Sequence, residues 1–347
     1  MPDAFDSILL VSFGGPEGPD DVWPFLERVA TGRGIPPERL AEVADRYHRL
    51  GGVSPINRKI RELVGNLADE LARRGVDLPV YWGNRNAIPL LADTLASMAD
   101  AGHRRALAWS ASPYSSYSSC RQYGEDLEAA REASGVTAPQ VKWIRRHHDH
   151  PGLIEPAADR LTEALGRLPI DRRRDAVLAF SAHSIPTTMA TGCRYEAEVA
   201  EVARLVAERV DPAGNHRREV VWQSRSGPAG VPWLEPDVVD RIRTLAVEGV
   251  DAVAVSPIGF PVENFEIAWD LDVEAAQAAE EYGMAFVRAR TVDDDPRFVT
   301  MVADLVVERT RRAVGERAAL GLLGLASDTC PPDCCLPPPN TLTTAPS

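Results

Sequence analysis

Leu178-Ala-Phe-Ser-Ala-His-Ser-Ile-Pro186 is the stretch on which the fold turns. The apolar run Ala176 to Phe180 reads as a short buried strand, and His183 falls just past its C-terminal end. In open α/β sheets ligands bind at that edge. A second strand of the same kind, Ala252-Val-Ala-Val-Ser-Pro-Ile258, leads through Gly259-Phe260 to Glu266, Asp270 and Glu274. That i, i+4, i+8 spacing lines three carboxylates along one helix face. Like charges so placed repel. A row that leads a hard cation toward an imidazole offsets that cost.

Outward from these two strands, short apolar runs alternate with long amphipathic ones. Strands are expected at Ile8–Ser12, Pro79–Trp82, Arg105–Ser110, Ala176–Ser181, Val220–Gln223 and Ala252–Pro257. Helical patterns cover Pro55–Arg74, Pro89–Ala101 and Arg194–Val210. The alternation predicts an α/β chain whose parallel sheets are flanked by helices. Two such blocks, before and after Pro151, predict two Rossmann-like domains, 1–150 and 151–294, facing each other across a cleft. The Pro/Thr-rich end from Leu336 to Ser347 reads as disordered.

The 347 residues suffice for two domains, and 44% hydrophobic residues suffice for their cores. A net charge of −13 argues against nucleic acid or an anionic membrane surface as a partner. The opening Met1-Pro-Asp-Ala-Phe-Asp6 is acidic, the Ile8 to Val11 run is too short for a secretory signal, and no stretch approaches the ~18–20 apolar residues of a membrane span. A cytoplasmic protein without a transmembrane segment is expected. Its five cysteines then do not form a disulfide framework. Ser12-Phe-Gly-Gly-Pro-Glu-Gly-Pro19 is not a phosphate loop, because Pro16 and Pro19 lack the backbone donors such a loop needs. His147-His-Asp-His150 reads as an exposed inter-domain connection with adventitious metal affinity.

Several motifs together resemble the ferrochelatase family. In chain order they are Ser12-Phe-Gly-Gly-Pro16, Asp45-Arg-Tyr47, Gly51-Gly-Val-Ser-Pro-Ile-Asn57, Phe180-Ser-Ala-His-Ser-Ile-Pro186, Val221-Trp-Gln-Ser224 and Pro232-Trp-Leu-Glu-Pro-Asp237. The last is Gly259-Phe260 with Phe265-Glu266, Asp270 and Glu274. The similarity runs from about residue 7 to about residue 310 and is greatest to the actinobacterial type that makes coproheme from coproporphyrin III.

The resemblance implies a chelatase-like porphyrin cleft between the two domains, a C-terminal helix (about 295–325) packed back on the first, and a cysteine-bearing tail at 326–347. It implies insertion of Fe²⁺, the second substrate, into coproporphyrin III by a monomeric lyase of haem biosynthesis, with possible transfer of coproheme to a decarboxylase. His183 and Glu266 are then catalytic, and Asp270 and Glu274 are outer ligands of a metal relay. A neutral imidazole suits either removal of a pyrrole proton or ligation of iron, and both roles stay open for His183. Phe13, Arg46, Tyr47, Ser54 and Tyr123 match positions that contact the porphyrin, and guanidinium and hydroxyl groups suit its carboxylates.

Three positions depart from relatives. Phe13 lacks the tyrosine oxygen that ligates product iron in some of them. Asn264 stands where many have a histidine. Ala30-Thr31 stands where an arginine pair is common, a loss that Arg28 or Arg33 could offset. Cys330, Cys334 and Cys335, with Cys120 as fourth thiolate, match a 2Fe–2S cluster. Cys193 is the alternative fourth ligand, and adjacent Cys334 and Cys335 demand a sharp turn. Rival readings are a protoporphyrin IX ferrochelatase, a non-catalytic porphyrin or haem carrier, an iron–sulfur sensor, and a cobalt or nickel chelatase.

Overall fold

The computed structural model describes residues 5–32, 34–135, 137–227, 230–311 and 317–337. Strands β1 (Ser7–Ser12), β2 (Val80–Asn84), β3 (Arg105–Ser110) and β4 (Gln140–Trp143) form one sheet in the order β2-β1-β3-β4. Strands β5 (Val177–His183), β6 (Arg218–Gln223), β7 (Ala252–Ser256) and β8 (Ala285–Arg288) form another in the order β6-β5-β7-β8. Every pairing is parallel. The second sheet therefore repeats the first, and the α/β reading of two helix-flanked parallel sheets holds.

Each sheet is covered on both faces. Helices α1 (Val22–Ala30), α2 (Pro37–Arg49), α3 (Ile56–Arg73), α4 (Leu91–Asp100) and α5 (Gln122–Ser134) belong to the first half of the chain. Helices α6 (Pro151–Gly166), α7 (Ile170–Arg173), α8 (Thr187–Ala190), α9 (Tyr195–Val210), α10 (Val238–Val247) and α11 (Ala276–Glu281) follow, and α12 (Pro296–Arg311) comes last. Along β5, Leu178, Phe180 and Ala182 pack with α6 and α9, while Val177 and Ala179 pack with α10 and α11. A strand buried on both faces reads as a continuous apolar run, which is why β5 and β7 were legible. The first of these clusters also holds Ile8, Leu10 and residues of α3 and α12, so one core runs between the sheets.

His183 is the last residue of β5, not a residue beyond it. The tract His147 to His150 is buried, with each of its four residues at most 4% exposed. It crosses from one sheet to the other beneath α12 and the 317–325 segment. Arg145, just before it, pairs with Glu308 of α12 at 2.8 Å. His147 stacks near Trp109, with ring centroids 5.7 Å apart. Asp149 accepts from the Gly321 amide, and His150 Nδ1 accepts from the Gly152 amide at 3.0 Å, capping α6. Burial lowers His147 well below its ordinary value and His150 to about 4, so these are neutral packing and capping groups.

Candidate active site

In each sheet the first strand lies between the second and third, so the topological switch falls at the C-terminal ends of β1 and β3, and of β5 and β7. Phe13 leaves β1 there, His183 ends β5, and the chain from β7 leads to Glu266. Gly259 makes the last approach possible. Its amide donates to the Ser181 carbonyl at 2.9 Å, and a β-carbon at residue 259 would stand 2.5 Å from the Ala182 α-carbon.

His183 Nδ1 donates to the Ser184 carbonyl, since a carbonyl only accepts. This leaves Nε2 as the free ring nitrogen, 3.7 Å from Oε1 of Glu266. Both side chains are partly open to solvent, 32% and 43% exposed. The Tyr195 hydroxyl donates to the His183 carbonyl at 2.9 Å and fixes its backbone from below.

The acidic row does not stand on an α-helix as its spacing suggested. Ile267–Ala275 is π-helical, with Glu266 at its start, Asp270 within it and Glu274 near its end. Such i→i+5 segments are rare and recur at functional sites. Asn264 Oδ1 accepts from the Ile267 amide at 3.0 Å, so this non-titrating residue caps the segment. Asp270 is buried, 8% exposed. Burial, with the charges of Glu266 and Glu274 adding to it, pushes its carboxyl up to about 7. Glu274 is half-buried, and its Oε1 accepts from Trp269 Nε1 at 2.8 Å.

Two contacts to Asp270 went unread in the sequence. Ser224 donates its hydroxyl to Asp270 Oδ2, and Gln223 Nε2 donates to the same oxygen at 3.3 Å. Ser224 has φ 61°, an uncommon conformation for a residue with a side chain. The available signal was the position of Gln223-Ser224 at the end of β6, beside His183 in register.

The first half of the chain faces this row. Tyr47 of α2 is buried, and its ring stacks on Phe265 with centroids 3.6 Å apart and planes 11° apart. Burial raises its phenol far above the ordinary value, and Glu266 adds to the shift. Arg46 Nη2 lies 3.6 Å from Glu274 Oε1, and its guanidinium sits 5.4 Å above the Trp269 ring. Ser54 is buried against Gly15. Phe13 packs edge-on to Phe25. Arg85 lies over both Phe13 and the buried ring of Tyr123. Arg28 Nε donates to the Asn86 carbonyl at 2.7 Å, beside this loop. Arg33 lies outside the described residues. Thus His183, Glu266, Asp270, Glu274, Arg46 and Tyr47 are brought together. Phe13 joins Tyr47, Phe265 and Trp269 through their shared apolar cluster.

A second group of side chains gathers away from the row. Cys120 lies in the π-helical turn Tyr117–Arg121, whose Ser116 cap accepts from the Ser119 amide. The thiols of Cys330 and Cys335 hydrogen-bond to Cys120 and hold its thiol low, with Arg146 adding to the effect. Cys330 and Cys335 are pushed up, first by that same bond and then by burial. Cys334 Sγ is 3.4 Å from Cys335 Sγ. The sharp turn expected at this pair is present, with Cys335 at φ 51°. Arg121 Nη1 donates to the carbonyls of Pro332 and Cys334. Cys193 turns its thiol to the Met189 carbonyl instead. Among the described residues no three His, Cys, Asp or Glu side chains are spaced around a common metal centre.

Residues 6–310 match the family model described as ferrochelatase. A coproporphyrin III ferrochelatase of Streptomyces griseus is 48% identical, covering 96% of this chain and 94% of that protein. One from Mycolicibacterium smegmatis is 49% identical over 88% and 90%. A protein of Rhodopirellula baltica named ferrochelatase is 47% identical over 97% and 95%. Among solved structures, a multi-domain Deinococcus radiodurans protein described as similar to chelatases aligns with TM-score 0.50 at 16% identity. That alignment covers 88% of this chain and 55% of that one.

Proposed function

This chain belongs to the ferrochelatase family, and from that premise we propose that it inserts Fe²⁺ into coproporphyrin III to give coproheme. The observation that carries the reading is the approach of His183 Nε2 to Glu266 Oε1 at the switch edge of the second sheet. Insertion replaces two pyrrole N–H protons by one Fe²⁺, so the site must both accept protons and hold a cation. An imidazole nitrogen and a carboxylate facing one another serve either need. Asp270 and Glu274 extend that carboxylate array along the π-helical segment and form a relay for iron toward Glu266.

The substrate has an apolar macrocycle and four carboxylates. Arg46, Tyr47 and Ser54 supply a guanidinium and hydroxyls, and Leu50 and Val53 between them are exposed apolar side chains. Phe13 offers ring contact, and Tyr123 backs Arg85 at the same loop. Names of relatives as similar as 48% support the coproporphyrin form. Among the described residues no helix is long and apolar enough to cross a membrane. We read the enzyme as a cytoplasmic monomer that passes coproheme to a decarboxylase. We also read its domains as 1–150 and 151–294, with 295–325 returning to the first and 326–347 forming the tail.

Cys120, Cys330, Cys334 and Cys335 are read as ligands of a 2Fe–2S cluster. Cys120 beside Cys330 and Cys335, Cys334 beside Cys335, a tight turn at the adjacent pair and nearby Arg121 and Arg146 suit an anionic thiolate group. When bound, such a cluster supplies a covalent tie between the tail and the Tyr117–Arg121 turn. Metallation transfers no electrons, so that tie is structural.

His183→Ala tests the catalytic reading. Loss of iron insertion with porphyrin binding retained supports it, and an unchanged rate of insertion overturns it.

A further inference from the structure

Arg46 is held between two demands. Its Nη2 stands 3.6 Å from Glu274 Oε1, and both side chains are about one-third exposed, 33% and 37%. The guanidinium lies over the face of Trp269, while the edge of the same ring donates to Glu274 Oε1 at 2.8 Å. A guanidinium has five donors in a planar fork that fits a carboxylate with two parallel bonds. A single approach at 3.6 Å uses little of that capacity. A substrate carboxylate can therefore take Arg46 with better geometry than Glu274 has.

We infer that Glu274 and a substrate carboxylate compete for Arg46, so that porphyrin binding releases Glu274 to the acidic row. This rests on the reading of Arg46 as a porphyrin contact. Released, Glu274 keeps its bond from Trp269 but loses its cationic neighbour. Its charge then adds to that of Glu266, and the row attracts a cation more strongly once the macrocycle is in place. By linkage, a cation on the row favours porphyrin binding by the same factor. The pair joins α2 in the first half of the chain to the π-helical segment in the second, so the exchange couples the two halves of the chain.

The test is a double-mutant cycle on the affinity for coproporphyrin III, measured by fluorescence titration of the full chain with a chelator present. E274Q removes the competing charge and keeps the Trp269 bond, so it tightens binding by roughly twofold to fivefold, the worth of a partly exposed ion pair. R46A weakens binding, and in the R46A background E274Q has no further effect. Unchanged or weakened binding in E274Q overturns the inference. So does tightening that persists in R46A/E274Q, which marks a general effect of removing an anion. Wild-type protein that fails to bind coproporphyrin III contradicts the functional reading and this inference with it, a result distinct from intact binding indifferent to E274Q.

Discussion

Gly259 lies so close to Ala182 that a β-carbon on it would come within 2.5 Å of the Ala182 α-carbon. The contact is backbone against backbone, so no rotamer change can relieve it. It presses the chain leaving β7 onto the end of β5 and so brings Glu266 to His183. G259A destabilises the fold by about 1–3 kcal/mol, as overpacked sites do. It also lowers iron insertion beyond what the lost stability explains. Denaturant unfolding alongside kcat measures both.

Glu266→Gln keeps the shape of the side chain and removes its charge. If Glu266 accepts a proton or holds the cation, kcat falls by about 10²- to 10⁴-fold. Porphyrin affinity stays within a small factor, because the carboxylate faces His183. Steady-state kinetics with porphyrin and iron varied separately checks the split.

Asp270 gives a pH dependence of defined sign. Its folded value, pushed up to about 7 by burial and then by Glu266 and Glu274, lies above that of an unfolded carboxylate. The stability it contributes is fully present below the unfolded value and is lost as pH rises through 7. D270N carries no proton to lose. The metal-free variant should gain on wild type from pH 5 to pH 8, by on the order of 2–4 kcal/mol. Thermal melting across that range tests this, and a gain at pH 5 that vanishes at pH 8 would contradict it.

The four thiols differ from the fifth. C120S, C330S, C334S or C335S should each strip iron and acid-labile sulfide from the purified protein and bleach its visible absorption. C193S should retain both, since Cys193 points its thiol at the Met189 carbonyl. Loss on C193S with retention on C120S would reverse the assignment.

Much of this was legible because buried parallel strands are apolar throughout. β1, β5 and β7 stand out for that reason, and His183 follows from the end of β5. The edge strands Gln140–Trp143 and Ala285–Arg288 were missed, as each is short and only half covered. The acidic row was visible as a spacing, but four-residue intervals do not separate an α-helix from a π-helix. Nor did they reveal that Asp270 is buried under Ser224, 46 residues away. The His147–His150 tract misled because charge and polarity were read as exposure, whereas the link between two sheets lies inside the molecule. Arg46 looked free for substrate, and only the fold shows Glu274 beside it.

The central claim is tested most directly by mixing the purified protein anaerobically with Fe²⁺ and either coproporphyrin III or protoporphyrin IX, and following porphyrin fluorescence. Rapid loss with coproporphyrin III and little with protoporphyrin IX is the predicted result. Binding of coproporphyrin III without loss of its fluorescence would contradict the account.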